Sequence, residues 1–198
     1  AVLLVDDAHG FGTLGTAGRG TLEHFGLWER ANRGLEPTGL TVLVTGTLSK
    51  ALGGFGGILP GSTALLRAVQ RANAAHAGAS ALPAPVAAAG ARALQVLGAA
   101  PQLRSALQHN AHYVRQGLRG LGLPVDDLPT PVVGFTWRDA AAMRGLHRAL
   151  LQAGSFVPYL DDYAGVGPDG AMRVAVCATH TTVQIDRLLT RLTASLRG

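Results

Sequence analysis

Lys50 is the single lysine of the 198-residue chain; the other basic residues are all arginine. It stands in TGTLSKALGGFGG, a glycine-rich stretch that follows an apolar run. A primary amine can form an imine with an aldehyde, whereas a permanently protonated guanidinium cannot. Two further candidates lie in VLLVDDAH, where Asp6 closes an apolar run and His9 follows three residues on. A carboxylate at a strand end favours the protonated form of a ring nitrogen, and an imidazole nearby can reach the same ring from another side. The reading that uses amine, carboxylate and imidazole together is pyridoxal 5′-phosphate chemistry, in which the carboxylate keeps the ring nitrogen protonated so that the ring acts as an electron sink. The glycines around Lys50 let backbone approach a flat cofactor closely.

Other readings use fewer of these features. GFGTLG, Gly10 to Gly15, matches the GxGxxG dinucleotide pattern after a strand, but more glycines follow where a helix should open. VLLVDDAH also resembles the Walker B strand of an ATPase or helicase, with carboxylates placed for Mg²⁺. Gly46 to Lys50 lacks the GxxxxGK[ST] spacing that such an enzyme needs for its phosphate loop. A plain strand-to-loop turn accounts for Asp7 and most of the glycines, yet leaves the lone lysine unexplained.

Elements must carry these residues. AVLLV reads as a strand buried on both faces of a parallel sheet, and TVLVTG from Thr41 to Gly46 as a second strand that delivers Lys50 past its end. Ser62 can cap a helix running to His76, and VAAAGARALQVLG forms another after the prolines of ASALPAP. From Pro101, a stripe of Leu103, Leu107, Val114, Leu118 and Leu121 predicts a long helix. Then follow a strand (VVGFTW), a helix capped by Asp139 and closed by Gly154, and the strands SFVPY and MRVAVC. A last helix opens on the capping box Thr181 to Gln184 and turns Ile185, Leu188, Leu189 and Leu192 inward. The chain is therefore α/β, with a largely parallel first part over residues 1–100 and a small α/β domain over 101–198.

A net charge of +5 comes from scattered arginines without a basic run, so nucleic acid is not an expected partner. No apolar stretch is long enough to cross a membrane. The one cysteine, Cys177, reads as a small buried strand residue, which fits a reducing, cytoplasmic setting. The histidines His24, His76, His109, His112 and His147 lack metal-ligand spacing, and no metal site is expected. The chain starts without Met inside a strand pattern, like a piece of something longer, which by itself would be inactive.

VDDAHGFGTLGTAGRGTLEHFGL followed by TGTLSKALGGFGG resembles the α-oxoamine synthase family of fold-type I pyridoxal-phosphate enzymes. The likeness continues through ALPAP and MRVAVCATHT to IDRLL, so it spans essentially the whole chain. It implies the C-terminal part of the large cofactor-binding domain, followed by the small domain. It also implies a decarboxylating condensation of alanine or glycine with an acyl-CoA or other acyl thioester, at a site shared across a homodimer. RGTLEHFGL and TGTLSKALGG favour the branch serving biotin synthesis over the glycine acetyltransferases.

By this resemblance Lys50 bonds the cofactor and later moves protons at the substrate Cα. Asp6 pairs with the pyridinium and His9 with the phenolic oxygen. Thr47 contacts the phosphate, and Ser80 reaches the phosphate of the partner subunit, although Ala79 stands where the family often has serine. Arg173 binds the amino-acid carboxylate, while His180 is structural. The stretches YLDDYAGVGPDGA, with Asp161 and Asp162, and WERANRGLEPTGL depart from the family pattern.

Overall fold

The computed structural model describes residues 1–31, 33, 39–163 and 165–197, and at His76 the backbone only. Part of the WERANRGLEPTGL departure, Asn32 and residues 34–38, therefore lies outside the described residues. The chain divides into two compact units, Ala1–Arg104 and Ser105–Gly198.

In the first unit, β1 (Val2–Asp6) runs parallel to β2 (Thr41–Thr47), with Val2 opposite Thr41 and Asp6 opposite Thr45. The short β3 (Gly57–Ile58) returns antiparallel against Gly46 and Thr47. Parallel strands end at the same edge of a sheet, so the loop after Asp6 and the turn bearing Lys50 emerge side by side. Val42 and Val44 of β2 pack with Leu22 of α1 (Thr21–His24) in a small core, and Val5 joins them.

The rest of β1 departs from the sequence reading. Val2, Leu3 and Leu4 are 65%, 47% and 63% exposed, against the expected burial on both faces. The sheet order is β1-β2-β3, so among the described residues no strand pairs with the outer edge of β1, and of its apolar residues only Val5 packs on the small core.

The helices of this unit follow their caps. Ser62 accepts a hydrogen bond from Leu65 N (3.2 Å) and starts α2 (Thr63–Ala72). That helix stops short of His76, because Asn73 turns its side chain to Ala75 N and starts a separate 3₁₀ turn. α3 (Ala84–Ala99) follows Pro83, and its buried Gly90 faces Leu48, where a Cβ would stand 2.9 Å from Leu48 Cδ1.

α4 (Pro101–Gly120) begins in the last residues of the first unit and gives most of its length to the second. There β4 (Val132–Phe135), β5 (Tyr159–Leu160) and β6 (Ala171–Ala175) form an antiparallel sheet in the order β4-β6-β5. α5 (Ala140–Gln152) and α6 (Thr182–Arg197) complete the unit. Asp139 caps α5 by accepting from Ala142 N (2.8 Å). Thr181 and Gln184 form the reciprocal capping box of α6, at 2.9 and 3.3 Å.

The predicted stripe of α4 holds at Leu107, Val114 and Leu118, with Ala111 also buried. Leu103 is exposed, because it precedes the turns that pack on the second unit's core. The strand expected over SFVPY is displaced to Tyr159–Leu160. Pro158 has no N–H to give to the ladder, although its carbonyl accepts from Arg173 N (2.9 Å). Cys177 corrects another expectation. It lies beyond the end of β6 and is exposed rather than buried.

Leu118, Met143, Leu150, Met172 and Leu192 are fully buried at the centre of the second unit. Leu118→Ala is expected to destabilise this unit by about 3 kcal/mol, the lost transfer energy plus a cavity term. A urea midpoint measured on the variant, with an unchanged slope, checks it.

Candidate active site

The parallel register brings the two predicted clusters together. Lys50 Nζ lies 3.0 Å from His9 Nε2, and the imidazole tautomer decides which nitrogen donates. Asp6, at the end of β1, accepts from Ala8 N through Oδ1 at 3.1 Å, and its carboxyl group is exposed. Thr47 closes β2 with its hydroxyl 2.7 Å from Ser49 Oγ and 3.1 Å from Gly56 O, and it also accepts from Ser49 N. This i to i+2 hydroxyl–backbone turn holds the peptide just before Lys50. Amine, imidazole, carboxylate and paired hydroxyls thus stand at one edge of the sheet.

The loop after β1 is held by buried polar contacts. Asp7 is buried and accepts from both the backbone N and the hydroxyl of Thr21. Gly20 sits at φ +98°, and a Cβ there would fall onto the Asp7 carboxylate, so only glycine fits. Gly12, at φ +84°, would place a Cβ 2.9 Å from Ala51 Cβ, which is how closely this loop approaches the lysine turn. Glu23 accepts from Ala17 N (3.0 Å), Arg19 N (2.8 Å) and Thr16 Oγ1 (3.2 Å). The nearly buried Arg104 donates to Thr16 O (2.7 Å) and Leu97 O (2.6 Å), tying the loop to the end of α3. Between Gly10 and Gly20 there is turn and no helix, whereas the dinucleotide reading requires a helix to open there.

The remaining candidates stand apart from this cluster. Ser80 is exposed in the segment before α3 and hydrogen-bonds to no other described residue. Arg173 lies on β6 opposite Gly134, and its guanidinium has no hydrogen bond or ion pair among the described residues. His180 accepts from Cys177 N through Nδ1 (3.1 Å), while Asn110 donates to the carbonyls of Cys177 and His180. It therefore shapes the entry to α6. Asp7, Glu23 and Arg104 support the site through contacts that no sequence pattern announces. Only Ser49 carries a local signal, a hydroxyl two residues after another.

The profile of the aminotransferase class I and II family matches residues 1–192. The chain belongs to that family. Among curated proteins similar to this chain, the 8-amino-7-oxononanoate synthase of Thioalkalivibrio sulfidiphilus is 35% identical over 198 residues, covering 100% of this chain and 48% of its own length. That of Methylococcus capsulatus is 37% identical over 193 residues, covering 97% and 47%. A serine palmitoyltransferase from S. paucimobilis, solved with a bound PLP–myriocin aldimine, superposes with TM-score 0.86 at 28% identity, covering 100% of this chain and 48% of that one. The chain spans about half the length of the curated relatives it matches. The α/β fold is that of fold-type I pyridoxal-phosphate enzymes. Among the described residues no helix is long and apolar enough to cross a membrane.

Proposed function

We propose that the chain is part of a pyridoxal-phosphate-dependent α-oxoamine synthase that condenses an amino acid with an acyl thioester, releasing CO₂ and the free thiol. The observation that carries this reading is Lys50 Nζ lying 3.0 Å from His9 Nε2 at the strand edge that also bears Asp6. The donor set fits the cofactor: an amine for its aldehyde, an imidazole for its phenolic oxygen, a carboxylate for its ring nitrogen and the Thr47 hydroxyl for its phosphate. When bound, pyridoxal phosphate supplies the ring into which the electron pair of a broken Cα bond is delocalised.

The chain's own residues do the rest. Lys50 would hold the cofactor through its aldehyde, and its amine, when free, would take and return the proton at the substrate Cα. Asp6 keeps the ring nitrogen protonated, because an opposite charge beside it favours the charged form. His9 orients the ring through its oxygen and keeps the Lys50 amine in place. Ser80 is assigned to the phosphate of a second subunit in a homodimer, and the first unit to the large cofactor-binding domain. The second unit is the small domain. Its Arg173 is assigned to the substrate carboxylate, for which the guanidinium fork is geometrically matched.

The names of the curated relatives favour 8-amino-7-oxononanoate formation, with alanine or glycine as the amino acid. Glycine acetyltransferase chemistry is the alternative. A cytoplasmic enzyme suits this role. The test is carried out on the intact protein. Borohydride reduction in the presence of pyridoxal phosphate should fix a pyridoxyl label on Lys50, located by peptide mass spectrometry. In a separate sample that has not been reduced, release of CoA should depend on both an acyl-CoA and an amino acid, alanine or glycine. A protein that takes no label, or that releases no CoA with any amino acid, sinks the reading.

Arg173→Lys is expected to raise KM for the amino acid by about tenfold or more with a smaller change in kcat, since an ammonium cannot present the bidentate fork. Steady-state kinetics at saturating acyl thioester measure this. An unchanged KM would remove Arg173 from the substrate site.

A further inference from the structure

We infer that Asp7 is a positioning residue: through Thr21 it fixes the turn that holds His9 against Lys50. This inference rests on the roles proposed above for His9 and Lys50.

Asp7 and Asp6 are neighbours in sequence with opposite surroundings. Asp6 is exposed, while Asp7 is 3% exposed and its two carboxylate oxygens accept from the N (2.7 Å) and Oγ1 (2.6 Å) of Thr21. Thr21 is the first residue of α1. The N-cap before it is Gly20, which has no side chain to offer, so a carboxylate 14 residues away takes over the capping of that N–H.

The backbone of Asp7 is fixed equally well. Its N donates to Thr45 O (2.8 Å), continuing the β1–β2 ladder, and its carbonyl accepts from Gly10 N (3.1 Å) and Phe11 N (2.9 Å). Those last bonds close the turn on which His9 rides. Thr13 Oγ1 holds the His9 carbonyl from the other side at 2.8 Å. A Cβ on Gly10 or on Gly20 would fall onto an Asp7 oxygen, so both glycines are shaped around this carboxylate. With both oxygens engaged and buried, Asp7 is not available to a metal ion or a substrate. What it can govern is where the His9 imidazole sits.

The geometry also says which replacement should be tolerated. In Asp7→Asn the amide oxygen still accepts from Thr21 N, and the amide NH₂ donates to the Thr21 hydroxyl oxygen. The lock survives without its charge. In Asp7→Ala the Thr21 donors lose their buried acceptor. Thr21→Val removes one of the two bonds while keeping the shape of the residue.

The experiment uses the intact protein with Asp7→Asn, Asp7→Ala, Thr21→Val, His9→Ala and the double variant Asp7→Ala/His9→Ala. The visible absorption band after loading with pyridoxal phosphate is one readout. Amide hydrogen exchange at Gly10 and Phe11 without the cofactor is the other. Asp7→Ala and Thr21→Val are expected to shift the band in the same direction as His9→Ala. They should also speed exchange at Gly10 and Phe11 by about tenfold or more, as loss of buried hydrogen bonds does. Asp7→Asn is expected to match the unaltered protein in both. Adding Asp7→Ala to His9→Ala is expected to move the band no further, because the two act through one contact.

A band in Asp7→Ala like that of the unaltered protein would overturn the inference, as would a shift that adds in full to that of His9→Ala. If Asp7→Ala does not fold, Thr21→Val carries the same comparison. An unaltered protein that shows no band with pyridoxal phosphate sinks the proposed function instead. The exchange readout then decides on its own, since equal exchange in Thr21→Val and the unaltered protein overturns the lock.

Discussion

Lys50→Arg is expected to abolish turnover, by at least about ten-thousandfold, although it keeps the positive charge. The guanidinium can still hydrogen-bond to His9 from a similar distance, so a purely electrostatic or packing role for Lys50 would leave most activity in place. It cannot form an imine, and at neutral pH it has no lone pair with which to take a proton. Two signatures separate this loss from misfolding. The protein should no longer acquire a borohydride-stable pyridoxyl label, and its thermal midpoint should change little because Lys50 is exposed. Lys50→Ala supplies a complementary measurement. A small exogenous amine should restore part of the proton-transfer rate in that variant and none in the arginine variant, where the site is filled. Retained activity in Lys50→Arg would end the assignment of this residue.

The edge that carries these groups was legible because its determinants are local or ladder-based. A continuous apolar run ending in Asp6, and another ending just before Lys50, can lie in parallel only with both termini at one edge, and the register of Asp6 with Thr45 meets that expectation. The caps of α2, α5 and α6 were equally readable, since Ser62, Asp139 and the pair Thr181 and Gln184 act within three residues of themselves.

What could not be read depends on contacts that are distant in sequence. Arg104 grips Thr16 across 88 positions, and Asp7 grips Thr21 across 14, with no periodicity to announce either. Burial failed for a related reason. The apolar letters of β1 state what the strand could bury, but exposure is decided by what lies on its outer side. Cys177 differs from its expected burial because the apolar letters of MRVAVC run two residues past the end of the strand. β6 stops at Ala175, and the backbone of Cys177 goes to His180 in place of a ladder.

Asp6→Asn is expected to lower kcat by about a hundred- to a thousandfold, the range seen when a preorganised electrostatic stabiliser is removed. The substitution is nearly isosteric, and the asparagine oxygen can keep the 3.1 Å bond from Ala8 N, so the turn leading to His9 should stand. What disappears is the negative charge that keeps the cofactor's ring nitrogen protonated, and with it the pull on the electrons of the breaking Cα bond. The loss should therefore fall on kcat more than on KM for the amino acid, and labelling of Lys50 by borohydride should persist. Asp7→Asn is the natural control. It removes the same charge one residue further on, from a carboxylate that among the described residues bonds only Thr21, and it is expected to leave the turn and the visible band unchanged. If the two asparagine variants lost activity equally, charge in the loop as a whole would be the cause, and Asp6 would lose its separate assignment. A large loss at Asp6 beside near-normal behaviour at Asp7 would mean that two adjacent aspartates divide the work, one facing the chemistry and the other holding the loop.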